Sequence, residues 1–227
     1  MKDKYTYLSK NIILFSISGF VPKILSLILV PLYTSYLTTA EYGISDLITV
    51  TVTLLIPIFT LGIQDAVMRF ALDENYIKSD VFTNALKIIL LGAIPVFAAT
   101  ITAACLNLPQ LSNTFLMFFF IMYLTNALNN TVSLFCRAIN KVNVIVVSSI
   151  LNSLITLISN VVFLTIFKWG LIGYLSANTI GAIFALLYCF WGGKLYKYIK
   201  PISQKNVIKE MIAFSFPLIF SVISWWI

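Results

Sequence analysis

The residues most able to do chemistry in this chain are a few cations inside or beside long apolar segments. Lys23 is the only charged residue between Ile12 and Leu37. At about 1.5 Å rise per residue, Lys23 lies roughly 16 Å into a helix that starts at Ile12, near the middle of a bilayer core of about 30 Å. A central lysine costs about 2.5 to 3.5 kcal/mol on insertion scales, so we expect it to face water or an anion. The alternative is an ammonium group that snorkels to the surface along a tilted helix.

Three further cations accompany other apolar segments. Lys87 lies about 8 Å into its predicted span, where a lysine can also snorkel. Arg69 and Arg137 follow the ends of two predicted spans. Asp65 precedes Arg69 by one helical turn, so an i,i+4 ion pair is the structural alternative to a ligand-binding role for Arg69.

Uncharged polar residues recur at helical spacing along several spans. Thr53 belongs to such a face of the second span, Asn126 and Asn130 to one of the fourth, and Asn152 to one of the fifth. Asparagine in lipid is costly unless it is hydrogen-bonded, so we interpret these residues first as bonds between helices and second as ligand contacts. The faces of the first two spans comprise Ser16, Gly19, Lys23, Ser26, Val30 and Thr34, and Asp46, Thr49, Thr53, Pro57, Thr60 and Gln64.

Long helices must position these residues, and the composition favours them. Hydrophobic residues make up 60% of the chain and charged residues 10%, with a mean hydropathy of +0.97, which indicates an all-α integral membrane protein. The second helix is expected to continue past Gly62, and the chain to be cut short in its seventh helix. The predicted spans are residues 12–37, 44–63, 81–106, 114–135, 144–167, 171–191 and 211–227.

The sixth span carries a small residue at every fourth position, Gly173, Ala177, Gly181 and Ala185. Such a ridge allows two helices to approach closely. We therefore expect this face to pack against another helix.

The basic residues alternate between the two sides of the predicted membrane. All of the 15 lysines and arginines except Lys23, Lys87 and Lys168 lie before the first span or near the loops after the second, fourth and sixth spans. By the positive-inside rule these segments, including the amino terminus, are cytoplasmic. The net charge of +7 then follows from topology. The same orientation places Arg69 and Arg137 at the cytoplasmic end of the spans and Lys23 deeper in the membrane. The three cations would then line a path for an anion that enters from the cytoplasm.

Several other chemistries lack the residues they need. The three cysteines lie in three different spans and the chain has no histidine, which supports neither a disulfide framework nor a zinc site. No P-loop, HExxH, GxGxxG or nucleophile-elbow motif occurs, and the cations are not clustered on a soluble face for nucleic acid. The chain is predicted to be no enzyme and to need no cofactor. Ser26 beside Lys23 leaves a Ser-Lys nucleophile open.

A family resemblance is carried by the run PLYTSYLTTAEYGISDLI at 31–48, with Pro22 and Lys23 before it and LGIQDAVMRFAL at 61–72 after it. These residues resemble the amino-terminal region of bacterial oligosaccharide flippases, in the multidrug/oligosaccharidyl-lipid/polysaccharide exporter superfamily. The resemblance implies a transporter of two six-helix lobes that alternates between inward- and outward-open states. Residues 1–200 would form the first lobe and 201–227 the start of the second, where FSFPLIF at 214–220 echoes FSISGFVPKI at 15–24.

The resemblance also implies a substrate, a polyprenyl-diphosphate-linked oligosaccharide flipped across the bacterial cytoplasmic membrane during synthesis of O-antigen, capsule or another surface polysaccharide. A dehydrated diphosphate needs cations, and sugars need hydroxyl and amide groups. We expect Lys23 and Arg69 to hold the diphosphate or acidic sugars, with Lys87 and Arg137 as weaker candidates. The sugar-filled part of the cavity would be lined by the polar residues Thr53, Asn126, Asn130 and Asn152.

The resemblance also implies further partners, and two alternative functions stay open. A coupling cation, sodium or a proton, would bind Asp46 or Asp65, although both have ordinary structural explanations. A polysaccharide polymerase and glycosyltransferases are expected partners. The first alternative is an ion-coupled multidrug antiporter of the same fold, in which acidic groups would replace the central lysine. The second is a non-transporting membrane scaffold of the polysaccharide assembly machinery.

Overall fold

The chain is helical in the computed structural model, which describes residues 2–106, 112–201 and 204–224. A π-helical segment, Val162–Ile166, extends the sixth helix, and a 3-10 turn, Leu195–Tyr198, precedes the eighth. Within the described residues, seven α-helices are long and apolar enough to cross a membrane, and only the third, Ile63–Leu72, is too short. This confirms the polytopic all-α fold. The helices are α1 (Lys2–Tyr36), α2 (Thr39–Phe59), α3 (Ile63–Leu72), α4 (Lys78–Cys105), α5 (Asn113–Ala138), α6 (Val142–Val161), α7 (Gly170–Gly192) and α8 (Lys205–Ser224).

The second span does not continue past Gly62, so that expectation was wrong. α2 ends at Phe59 and α3 begins at Ile63. Leu61 and Gly62 between them have φ angles of 53° and 61°. The left-handed region favours glycine, and a Cβ on residue 62 would lie 3.2 Å from the Ser215 carbonyl oxygen of α8. Glycine thus permits both the turn and the close approach of α8.

Contacts divide the chain into two compact units, and the first consists of Met1–Ser45 and Asn140–Gly193. In this unit α1 packs on α6, and α6 packs on α7. Leu29, Tyr33 and Leu37 of α1 and the link after it form an apolar cluster with Leu164. Van der Waals packing among these side chains holds α1 in place, because a bilayer supplies no hydrophobic driving force between helices.

The small-residue ridge of α7 packs as the sequence predicts. Gly173, Ala177, Gly181 and Ala185 are all buried. A Cβ on residue 181 would lie 2.1 Å from the Thr156 Oγ1 atom of α6. Near one end of this interface the Ser148 hydroxyl donates to the Ala185 carbonyl over 2.8 Å. The ridge therefore serves helix packing.

The second unit consists of Asp46–Ile139 and Lys194–Ile227, of which 107–111, 202–203 and 225–227 lie outside the described residues. Here α3 packs against α4, α5 and α8. Gly92 of α4 meets the end of α2, since a Cβ there would lie 2.0 Å from the Phe59 carbonyl oxygen. The short α3 is thus the element around which this unit is packed.

Buried polar residues of α4 fix the segment between α7 and α8. The Thr83 hydroxyl donates to the Tyr198 carbonyl over 3.1 Å and accepts from the Lys200 backbone N–H over 3.0 Å. The Asn84 amide donates to the Gln204 carbonyl over 3.2 Å. The start of α4 therefore holds the segment from Tyr198 to Gln204, which links α7 to α8.

Candidate functional site

Lys23 lies beside an open depression of about 360 Å³ on α1, lined by Ser16, Gly19, Phe20 and Lys23. The lysine is exposed in the first unit. All six members of the predicted polar face of α1 are exposed, namely Ser16, Gly19, Lys23, Ser26, Val30 and Thr34. An ammonium group so placed can receive an anion without rearrangement of the helix.

Ser26 does not form a Ser-Lys pair with the side chain of Lys23. Its hydroxyl donates to the Lys23 backbone carbonyl over 2.9 Å. A nucleophilic serine requires its proton to be directed to a base. The hydroxyl is instead used inside the helix, so this geometry gives no support to the nucleophile that the spacing left open.

Arg69 is held by aromatic rings rather than by the predicted ion pair. The guanidinium carbon lies 4.2 Å from the centroid of the Phe214 ring of α8 and 6.0 Å from that of Phe70. Within the described residues no carboxylate, that of Asp65 included, lies in ion-pair contact with it. A guanidinium over an aromatic face is attracted by the ring quadrupole and keeps its donors for another partner.

A hydrogen bond beside Arg69 joins the loop after α3 to α8. The Tyr76 hydroxyl donates to the Glu210 Oε2 atom over 2.5 Å. This bond, together with the negative charge of Glu210, raises the pKa of the Tyr76 hydroxyl above its usual value. The Phe70 ring packs edge-on against that of Tyr76, with centroids 4.7 Å apart. Arg69 thus sits on an ordered aromatic platform.

The weaker cation candidates occupy different environments in the second unit. Lys87 is half-buried in α4. Arg137 is exposed in the last turn of α5, where the helix dipole favours a cation. Both side chains interact with neighbouring residues of the protein.

The four polar residues predicted to contact the sugars lie in different environments. Thr53 and Asn130 are exposed, on α2 and α5. The Asn126 amide donates to the Met122 carbonyl of its own helix over 2.8 Å, so the expected bond between helices is not what this amide makes. Asn152 faces α7, where its Oδ1 atom would lie 2.8 Å from a Cβ on residue 181. The Thr156 hydroxyl donates to the same oxygen over 3.5 Å.

The two candidate ion-coupling carboxylates are both exposed. Asp46 lies on α2, and Asp65 lies in the first turn of α3, where the helix dipole favours a negative charge. Partial desolvation by surrounding atoms nevertheless raises the pKa of the Asp65 carboxyl. Lys23 and Asn152 belong to the first unit, and the other candidate residues to the second. Their common site remains a prediction.

A second pocket, of about 350 Å³, was missed by the sequence analysis. It lies where α1 passes into α2, within the first unit, and five of its seven lining residues carry a hydroxyl group. The sequence signal that could have located it is a T-x-x-E capping box at its edge, Thr38 to Glu41. The residues lining this junction pocket are Val30, Tyr33, Thr34, Leu37, Thr38, Thr39 and Tyr42.

The capping box fixes the wall of the junction pocket. The Thr38 backbone N–H donates to Glu41 Oε2 over 2.9 Å, and the Glu41 N–H donates to the Thr38 hydroxyl oxygen over 3.3 Å. The other oxygen of Glu41 lies at the start of α7, where a Cβ on Gly170 would be 3.0 Å from it. Gly170 has a φ of 54°, which also favours glycine. Glu41 therefore links the starts of α2 and α7.

Solved structures similar in fold are transporters. An outward-facing multidrug resistance MATE family transporter of the MOP superfamily matches 93% of this chain with a TM-score of 0.71 and 16% identity, and 51% of that protein is covered. A MOP superfamily transporter from Pyrococcus furiosus, described as having a binding pocket of reversed polarity that suggests a different function, matches 95% of the chain with a TM-score of 0.64 and 16% identity, over 53% of its own length. A MATE protein in a bent conformation matches 93% with a TM-score of 0.60 and 15% identity, over 50% of its length.

The chain thus spans about half the length of the solved transporters that it matches, and at these identities the likeness shows the fold. No curated protein matches the chain. The family described as polysaccharide biosynthesis protein matches residues 8–227. The chain therefore belongs to the polysaccharide biosynthesis protein family, with the fold of one half of a MOP-superfamily transporter.

Proposed function

We propose that this protein moves a polyprenyl-diphosphate-linked oligosaccharide across the bacterial cytoplasmic membrane by alternating access. The family supports a role in polysaccharide biosynthesis and the fold supports transport. In this proposal the lipid tail stays in the bilayer while the charged and hydroxylated head crosses beside the polar face of α1. The amino terminus lies in the cytoplasm, as the distribution of basic residues favours.

The exposed ammonium group of Lys23 is the observation that carries the proposal. It lies on a membrane-spanning helix with an open depression beside it, where an unpaired cation is expensive in lipid. A diphosphate would supply the missing opposite charge through strong charge-assisted hydrogen bonds. Arg69, whose guanidinium carbon lies 4.2 Å from the centroid of the Phe214 ring, is the second cation available to an anionic head.

The sign of the charge separates this proposal from multidrug antiport. An organic cation would need acidic groups at membrane depth, whereas α1 presents a lysine there. The reversed pocket polarity described for the Pyrococcus furiosus transporter is consistent with variation of pocket charge within this fold. Asp65, with its raised pKa, is the better of the two candidate sites for a coupling proton.

Complementation of a strain that lacks its own flippase tests the proposal. Lys23→Ala and Arg69→Ala should each reduce surface polysaccharide about 10- to 100-fold at equal expression, because a lost charged hydrogen bond is worth roughly 1.5 to 3 kcal/mol. Lys23→Arg keeps the charge and should retain most activity. Lys168→Ala, at an exposed loop lysine, is the matched control and should behave as wild type.

Wild-type polysaccharide levels in both alanine variants would refute the site assignment. Dye efflux by proteoliposomes, together with failure to move labelled lipid-linked sugar, would favour the antiporter. If neither cargo moves while the protein still binds a polymerase, the scaffold function is correct.

A further inference from the structure

We propose that the junction pocket is a sugar-binding subsite, which takes one pyranose unit of the lipid-linked oligosaccharide at the α1–α2 end of the polar face. This rests on the proposed function and extends it, because the pocket contains none of the residues to which the sequence assigned substrate contact. Its volume of about 350 Å³ is within the range of small-ligand pockets, roughly 300 to 1,000 Å³.

The lining is chemically suited to a carbohydrate. Hydroxyl groups belong to five of the lining residues, Tyr33, Thr34, Thr38, Thr39 and Tyr42. Sugar rings combine hydroxyl edges with apolar C–H faces, so a pocket that offers aromatic faces beside hydroxyl groups matches both. A pyranose can exchange hydrogen bonds with these hydroxyl groups, which an alkyl chain cannot do.

The hydrogen bonds within the pocket leave several groups available. The Thr34 hydroxyl donates to the Pro31 carbonyl over 3.0 Å, and that of Thr38 donates to Glu41 over 2.8 Å. The hydroxyl groups of Tyr33, Thr39 and Tyr42 form no hydrogen bond with any residue that the structure describes. Tyr33 itself is only 9% exposed, so its side chain forms an ordered part of the pocket wall.

The walls of the pocket are held in place before any ligand arrives. The Tyr33 ring packs edge-on against Tyr174 of α7, with centroids 4.8 Å apart. The capping box of Thr38 and Glu41 fixes the first turn of α2, which carries Thr39 and Tyr42. The Tyr42 ring is tilted 42° to that of Tyr33, with centroids 6.5 Å apart. A preordered pocket loses little conformational entropy on binding.

The position of the pocket fits a head group held at two points. Thr34 follows Lys23 by eleven residues, three turns on the same face of α1, or about 16 Å along the helix. A diphosphate at Lys23 would place the sugars along the polar face toward the pocket. An oligosaccharide, unlike a free phosphate or a lone lipid, has the length and chemistry to occupy both points.

Binding to the purified protein in lipid nanodiscs tests this subsite. The probes are polyprenyl diphosphates that carry glucose, N-acetylglucosamine or rhamnose, and the same lipid without sugar. Wild type should bind at least one sugar-bearing probe more tightly than the sugar-free lipid. Tyr42→Leu and Thr39→Val should weaken only the sugar-bearing probe, about 3- to 10-fold, while Lys23→Ala weakens both probes equally.

Tyr36→Leu is the matched control, since Tyr36 is 45% exposed, like Tyr42 at 48%, but does not line the pocket. Equal weakening of both probes by Tyr42→Leu would assign the pocket to the lipid chain and overturn the inference. Unchanged binding in both pocket variants would also overturn the inference, as would equal binding of all probes by wild type. In those two cases the proposed recognition of the diphosphate would still stand. Failure of wild type to bind any probe would overturn the proposed function together with the subsite.

Discussion

At the scale of single residues, the two main cations of this chain are placed in different ways. Lys23 is open to a depression on α1, whereas Arg69 is held by the Phe214 ring. The difference matters because an ammonium group with no ion-pair partner among the described residues would depend on a ligand for compensation, whereas the guanidinium already has a favourable contact. We therefore expect an anion to stabilise the charge of Lys23 more than that of Arg69.

The hydrogen bond between Tyr76 and Glu210 gives a pH prediction. The pKa of Tyr76 is raised above 10.0, so the bond contributes stability below the unfolded pKa and is lost as the pH rises through the higher folded value. Ultraviolet titration of wild type, with Tyr76→Phe subtracted, should show one tyrosine that ionises above pH 10. Glu210→Gln should lower that midpoint. An unchanged midpoint would mean that the bond does not form in solution.

At the scale of elements, the start of α2 depends on a capping box. The reciprocal bonds between Thr38 and Glu41 satisfy backbone donors that the first turn would otherwise leave open. Thr38→Ala should therefore destabilise the protein by about 1 kcal/mol. The midpoint of thermal unfolding in detergent measures this loss. Thr51→Ala, at an exposed residue within α2, should leave the midpoint nearly unchanged.

Gly92 lies in a close contact between two helices, whereas Gly43 lies on an open helix surface. A Cβ at residue 92 would meet the Phe59 backbone oxygen at 2.0 Å, whereas nothing lies within 4 Å of one at Gly43. Gly92→Ala should destabilise the protein by about 1 to 3 kcal/mol, because backbone at α2 must shift. Gly43→Ala should be neutral or stabilising, by up to about 1 kcal/mol. Equal unfolding midpoints for the two variants would show that α2 and α4 are not in close contact.

At the scale of the whole molecule, the proposed direction of transport depends on the topology. The basic loops should face the cytoplasm, which places Asn75 inside and Ser112 outside. In a variant with exposed Cys105 replaced by serine, a membrane-impermeant maleimide should label Ser112→Cys in intact cells. It should label Asn75→Cys only after permeabilisation. The reverse pattern would invert the topology and with it the proposed entry of the anion.

The sequence by itself determined the membrane spans and the ridge of α7. Apolar content and small-residue spacing act locally along a helix, because a bilayer leaves the backbone no partners outside its own segment. The predicted spans accordingly agree with the helices to within a few residues, apart from the starts of the first two and the last. Local pattern did not reveal the turn at Leu61 and Gly62, where α8 comes close to the chain.

Only the tertiary structure decided which side chains meet. The sequence offers Asp65, four residues away, as one possible partner of Arg69, but the guanidinium lies over the Phe214 ring of α8. The junction pocket likewise needs the Tyr174 ring of α7 to hold Tyr33 in place. Spacing along one helix specifies a face, whereas the partner of that face depends on which other helices pack there, and no local pattern contains that information.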